Sequence, residues 1–360
     1  MLTGTTPMPY TLYVMSNSPY SDKIRMYLRL KRLPVVEVRE NMRNREQVLR
    51  ARTGRTMVPV VITPDDQAMN DSTHITRRLE AALPSPALRP ADAGRRGFDA
   101  VVEEYADEWI VRAMLASRWL HEPDAEQNKV VIATDMTCGA AEVDVAVARE
   151  LFPQGITATL PPMGATAETL PFLLDDLRGL VDDLDALFAH HRFVGGPEPT
   201  VADVALYGQL NQVRRDPTGR TIVGDPSRPH GRWFGDVERR ADGSAAEFAG
   251  DEVPDGERLA PLARRIAGTY LRFAVANARA LEEAPKGPLV VELAGGATFQ
   301  AARAGYNRKC LQALLAELEE AVGAAGRLVG GAADGAILGE LAPLGALLEP
   351  YPALARAVRR

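Results

Sequence analysis

The hydroxyl-rich turn Ser16-Asn17-Ser18-Pro19-Tyr20-Ser21 is the stretch best equipped for chemistry. It follows Tyr10-Thr-Leu-Tyr-Val-Met15, an apolar run rich in strand formers. It precedes Asp22 to Leu33, where Ile24, Met26, Tyr27, Leu28 and Leu30 fall close to helical spacing. A strand that ends in Ser18-Pro19 and passes into a helix gathers backbone N–H groups and the helix's positive end at one spot. A thiolate placed there is stabilised, as cysteine thiols at helix starts show. A fall of about two pKa units asks for roughly 2.7 kcal/mol. A hydroxyl donating to the sulfur supplies ~1.5–3 kcal/mol of that. The turn holds no cysteine, so it cannot do thiol–disulfide exchange through its own sulfur. It can activate the sulfur of a bound thiol for nucleophilic attack on an electrophilic small molecule.

The elements that would position this turn can be read on both sides of it. Val35 to Arg39 is an extended run, and a charged helix candidate follows. Val58-Pro59 breaks into another strand, Val60-Val61-Ile62. An acidic turn ends in Asp71-Ser72, and Thr73 to Leu83 reads as a helix. The order β-α-β-α-β-β-α in about 75 residues is that of a small α/β domain.

Three separated signals in this stretch resemble the thioredoxin-fold, glutathione-binding domain of the glutathione transferase superfamily. Ser18-Pro19-Tyr20-Ser21 stands where glutaredoxins carry C-P-Y-C and several transferase classes carry serine or cysteine. Val58-Pro59 resembles the family's V-P, whose proline is cis, and Asp71-Ser72-Thr-His-Ile75 resembles its acidic-Ser-x-x-Ile signature. The resemblance implies a thioredoxin-like α/β domain (1–84), a linker (85–97) and an all-helical domain (98–360) with an irregular insert. Ser18 matches the catalytic cysteine position; Ser16, Ser21 and the strand tyrosines Tyr10 and Tyr13 are the alternatives. Glutathione would lie on the backbone at Val58 beside Pro59. Ser72 and its helix start would take a carboxylate, Asp71 an ammonium, and Arg55 the glycine carboxylate. Tyr20, Tyr105 and Trp109 would wall a second-substrate pocket, although the stripe holding the last two also reads as core.

Composition sets limits. Hydrophobic residues at 46% and charged residues at 25% are ordinary for a globular protein, and 360 residues suffice for two domains. A net charge of −6 gives no basic field for nucleic acid. No apolar run is long enough to cross a bilayer, and Met1-Leu-Thr-Gly-Thr-Thr-Pro does not read as a signal peptide. Cys138 and Cys310 cannot make a disulfide framework. A cytoplasmic protein is expected, with no metal site.

Beyond the proline-rich connector Pro84 to Pro90, the pattern turns helical. Val101–Trp119, Val130–Leu151, Ala165–His191 and Leu259–Glu283 read as long helices, with Cys138-Gly139 weakening the second. Thr200-Val-Ala-Asp203 reads as a capping box, a structural rather than catalytic carboxylate. Residues 214–258 read as irregular, anchored by Trp233 and Phe234, and Gly155–Gly164 as loop. Val290–Ala294 reads as a short strand, and Phe299 to about Val322 enters a helix; the last 35 residues read as loop and short helix. His121 and His190-His191 read as surface or helix-end residues and Cys310 as packing. The resemblance implies a homodimeric enzyme that uses glutathione as co-substrate in detoxification chemistry, the third helix and the helix from Val101 facing the partner. The alternatives are a non-catalytic binding or scaffold protein, or a glutathione-dependent lyase, dehalogenase or isomerase.

Overall fold

The computed structural model describes residues 8–138, 142–244 and 252–328. The expectations for the amino-terminal arm and for the end of the chain fall mostly outside these residues. The first unit contains β1 (Tyr10–Val14), α1 (Pro19–Leu30), β2 (Val35–Arg39), α2 (residues 42–53), β3 (Val60–Ile62), β4 (Ala68–Asn70) and α3 (Ser72–Ala82). The sheet order is β2-β1-β3-β4. β1 pairs parallel to β2, and β3 pairs antiparallel to β1 and β4. This mixed sheet with its helices is the expected thioredoxin-like arrangement. Leu12 and Val14 on β1 are buried with Ile24 and Leu28 of α1, so period-2 and period-3.6 faces meet in one core.

The helical unit follows. α4 spans residues 93–120, with one π-helical turn at Ala106–Ile110. α5 is Glu122–Thr137 and ends at Cys138, which is left-handed at φ 54°. The weakness expected at Cys138-Gly139 is therefore a helix end. α6 (Glu142–Thr157) extends into the expected loop, and a short helical turn follows at Leu160–Met163. α7 is Leu170–Phe188 and α8 is Val201–Arg215.

The segment read as irregular holds α9 (Pro217–Val223) and α10 (Pro229–Asp242). Both prolines sit in the first helical turn, where the missing N–H costs nothing. The stretch reads as irregular in sequence because a proline that opens a helix looks the same as one that breaks it. α11 covers residues 256–283, β5 (Pro288–Glu292) and β6 (Thr298–Ala302) form a hairpin, and α12 is Gly305–Leu328.

Two local devices fix α8. Asp203 accepts from the amides of Thr200 at 3.0 Å and Val194 at 2.9 Å and from the Trp233 indole at 2.9 Å. The capping box is structural, as its sequence indicated. Gly208 then lets α8 lie directly on α1: a Cβ there would stand 2.6 Å from the Pro19 carbonyl oxygen. α12 packs along α4, and Glu317 pairs with Arg77 of α3 and with Arg89 at 2.8 Å. α12 thus covers part of α3 and α4, the two helices expected to face a partner.

Candidate active site

Ser18 is the N-cap of α1, and Pro19 opens the helix. Its Oγ accepts from the Ser21 amide at 3.2 Å. Among the described residues the Ser18 hydroxyl donates to no protein acceptor, which leaves its hydrogen to give to a ligand. The alternatives are placed otherwise. Both the amide and the hydroxyl of Ser16 donate to Asp135, at 2.6 and 2.9 Å. Ser21 is fully buried and accepts from the Met15 amide at 3.2 Å. Tyr10 packs against the core from β1. Tyr13 is partly buried on the opposite face of that strand from Leu12.

The helical unit clamps the turn from behind. Arg118 of α4 is buried and donates to the Asn17 carbonyl at 2.7 Å. The same guanidinium bonds Asp216 at 2.7 Å and the Gln212 side-chain carbonyl at 3.0 Å. Asn17 donates to Asn128 at 3.1 Å, and Asn128 donates to Asp216 at 2.8 Å. Gln212 also donates to the Ser16 carbonyl at 3.2 Å. Beneath Asp135 lies Glu40, which burial pushes up to about 7 although Arg45 at 3.0 Å pulls it down.

Across the sheet, the Val58–Pro59 bond is cis, as expected. The Val58 amide and carbonyl make no backbone hydrogen bond among the described residues, so both are available to an extended ligand. Asp71 adopts φ 71° and ψ 118°, a conformation that non-glycine residues keep chiefly where function holds them there. Its Oδ1 accepts from the amides of Thr73 and His74 at 3.1 and 3.2 Å. The other oxygen accepts no hydrogen bond among the described residues, at this exposed position. Ser72 is buried at the first position of α3, and Arg55 is exposed on the loop before β3.

The second-substrate wall differs from expectation. Tyr20 does face the helical unit, its hydroxyl donating to the Asp107 carbonyl at 2.8 Å. Tyr105 and Trp109 line no cleft: each is 1% exposed. The Trp109 indole donates to Asp176 at 2.8 Å, and its ring packs on Phe299 at 5.0 Å and Phe273 at 5.7 Å. Trp119 is likewise buried. The partly buried groups around Tyr20 are instead Glu108 and Cys310, with exposed Tyr306, and Glu104 lies beside Glu108. Cys310 thus stands in a polar cluster rather than in apolar packing. A charged i, i+4 pair beside an apolar stripe, Glu104 and Glu108, was the available sequence signal.

His121 bonds the Ser117 carbonyl at 2.8 Å where α4 ends. His190 and His191 line an open cavity of about 720 Å³ between α7 and α10, with Arg232 and Trp233. None of the residues expected to do chemistry lines it. Among the described residues no His, Cys, Asp and Glu group could hold a metal, and no helix is long and apolar enough to cross a membrane.

The family model described as Glutathione S-transferase, N-terminal domain, matches residues 12–87, and that described as Glutathione S-transferase, C-terminal domain, matches residues 144–234. The chain belongs to the glutathione transferase superfamily. The matches frame the clamped turn: the first covers Ser18, Val58-Pro59 and Asp71-Ser72, the second the capping box and Gln212. No curated protein matches the chain. Among solved structures, a glutathione S-transferase from Rhodospirillum rubrum F11 is 19% identical, covering 62% of this chain and 91% of its own at a TM-score of 0.38. The beta-etherase LigF from Sphingobium sp. strain SYK-6 is 19% identical, covering 66% and 100% at 0.46. Glutathione transferase GSTFuA3 from Phanerochaete chrysosporium is 16% identical, covering 65% and 98% at 0.47.

The clamp can be tested directly. Arg118→Met should lower stability by about 3–5 kcal/mol, because Asp216 is left as a buried unpaired charge. Adding Asp216→Asn should recover part of that loss in denaturant unfolding. If Arg118→Met unfolds like wild type, the guanidinium does not hold the turn.

Proposed function

We propose that the chain is an enzyme that activates glutathione as a thiolate and directs it at an electrophilic apolar small molecule. The observation that carries this reading is Ser18 itself: a helix N-cap whose hydroxyl donates to no protein acceptor among the described residues. The helix start adds its positive end, and the two together supply what a thiolate needs. In this reading residues 1–84 hold glutathione and residues 98–360 shape the second-substrate side. The Val58 backbone beside Pro59 takes the cysteinyl part, Ser72 and the α3 start a carboxylate, and Asp71 the γ-glutamyl ammonium. Arg55 is the cation assigned to the glycine carboxylate. Tyr20 stands between the thiol and the electrophile. No metal is needed for this step, and a cytoplasmic place fits a thiol co-substrate. A lyase, dehalogenase or isomerase would use the same thiolate, so the reading fixes the nucleophile and not the electrophile.

The homodimer implied by the resemblance belongs to the same proposal, with a condition set by the fold. Its interface must lie outside the surface of α3 and α4 that α12 covers. Light scattering at micromolar concentration should give about twice the chain mass of 39.0 kDa. A mass of one chain would contradict the dimer and leave α12 in the partner's place.

Ser18→Ala should lower kcat/KM by ~10- to 200-fold, the span of one hydrogen bond to a charge. The loss should lie in thiol ionisation, with glutathione affinity little changed. Ser18→Cys should form a mixed disulfide with glutathione, visible by mass spectrometry, and lose transferase rate. Full activity and an unchanged thiol pKa in Ser18→Ala would move the role to another group.

A further inference from the structure

A cavity of about 300 Å³ opens where the proline-rich connector, the start of α4, the loop before α8 and the start of α11 meet. None of Ser18, Val58, Asp71 and Ser72 lines it. Phe98, Val194, Pro199 and Leu259 give it buried apolar walls.

Hydrogen bonds fix its frame. The Leu88 amide donates to Glu80 at 2.8 Å, and the Leu88 carbonyl accepts from the Val201 amide at 2.8 Å. These bonds join the connector to α3 on one side and to α8 on the other. The Arg95 amide donates to Asp92 at 2.9 Å, and its guanidinium donates to the Pro254 carbonyl at 2.7 Å. That side chain ties the start of α4 to the chain beside Val253, another lining residue.

Two polar atoms of lining residues are left over. Asp99 is 3% exposed, and its Oδ2 has no hydrogen-bond partner among the described residues. Arg89 spends its terminal nitrogens on Glu317 at 2.8 Å and Glu103 at 2.9 Å, yet its buried Nε has no partner there either. Unfilled buried groups of this kind are rare in folded proteins and call for an outside partner. One is an acceptor and the other a donor.

The charges of the lining select the class of partner. Arg89 and Arg95 stand against Asp92 and Glu198, so the rim is balanced. Arg89 is already paired with Glu103 and Glu317, and Glu198 with Arg240. Burial pushes Asp99 well above the usual carboxylate range, with Thr200 pulling against it. A cation thus meets no inner carboxylate, and an anion meets no guanidinium that lacks an acid of its own near by.

We propose that this cavity binds a small neutral molecule that carries a carboxamide on an apolar body. The amide N–H gives to Asp99, the amide oxygen accepts from Arg89, and the body packs on Phe98 and Leu259. The site is separate from the proposed glutathione site and does not rest on the thiolate reading.

The test titrates benzamide into the full chain, followed by saturation-transfer NMR and calorimetry. Binding should saturate with a Kd of about 10 mM or tighter, the scale for so small a ligand. Benzoate and benzylammonium should bind roughly tenfold or more weakly, because each brings a charge into the cavity without a partner. Asp99→Leu keeps the size of the side chain and removes the acceptor, so benzamide should weaken by about 3- to 10-fold, the scale of one hydrogen bond. Val253 is 43% exposed at the lining, so Val253→Trp should fill the mouth and abolish binding with Tm unchanged. Excess S-methylglutathione should leave benzamide binding as it was. No saturable binding would mean that the cavity holds water only, and would overturn the proposal. So would benzoate bound as tightly as benzamide, or unchanged binding in either variant. Displacement by S-methylglutathione would put the probe in the cleft and overturn it too. If Asp99→Leu does not fold, Val253→Trp and the charged probes decide.

Discussion

The guanidinium of Arg118 is the contact on which the site depends. It is buried on α4, yet it donates to the carbonyl of Asn17, one residue before Ser18. A buried arginine must find partners for its donors, and here they are Asn17, Gln212 and Asp216. The turn that would activate a thiol is therefore built by one unit and held by the other. α8 can take part because Gly208 brings it against α1, and because Asp203 fixes where α8 begins.

A second set of buried charges joins the units further along α1. Lys23 bonds Glu103 at 2.8 Å and Asp107 at 2.5 Å. Burial lowers the lysine's affinity for its proton, but the carboxylates outweigh it and hold Lys23 at about 12. Glu103, although buried, is pulled down to about 2 by Lys23 and Arg89. Asp107 remains raised, because burial, with Glu103 added, exceeds what Lys23 returns. The acid-rich edge of α4 thus divides into Glu103, held ionised by Lys23 and Arg89, and Glu104 and Glu108, which burial makes hold their protons more tightly. α12 closes over the latter pair with Asn307, Tyr306 and Cys310.

What could be read from the sequence was what is decided locally. Ser18-Pro19 at a strand-to-helix junction, Val58-Pro59 and Asp71-Ser72 each occupy the junction expected of them, because turns and caps are set by a few adjacent residues. The same holds for Thr200 to Asp203. Pro217 and Pro229 misled because a proline ends one element and begins another with equal ease, and both begin helices here. Tyr105 and Trp109 lay on a stripe whose outlet depends on tertiary packing. The β5–β6 hairpin supplies Phe299 against Trp109, which no periodicity on α4 could announce. Arg118 escaped notice for a similar reason: its partners are about a hundred residues away on either side.

The most direct measurement is an ultraviolet titration of glutathione bound to the wild-type chain, following thiolate absorbance against pH. The account predicts saturable binding and a thiol midpoint at least about one unit below the ~8.5 of a free cysteine thiol. A midpoint at the free value with glutathione bound, or no binding at millimolar glutathione, would contradict it.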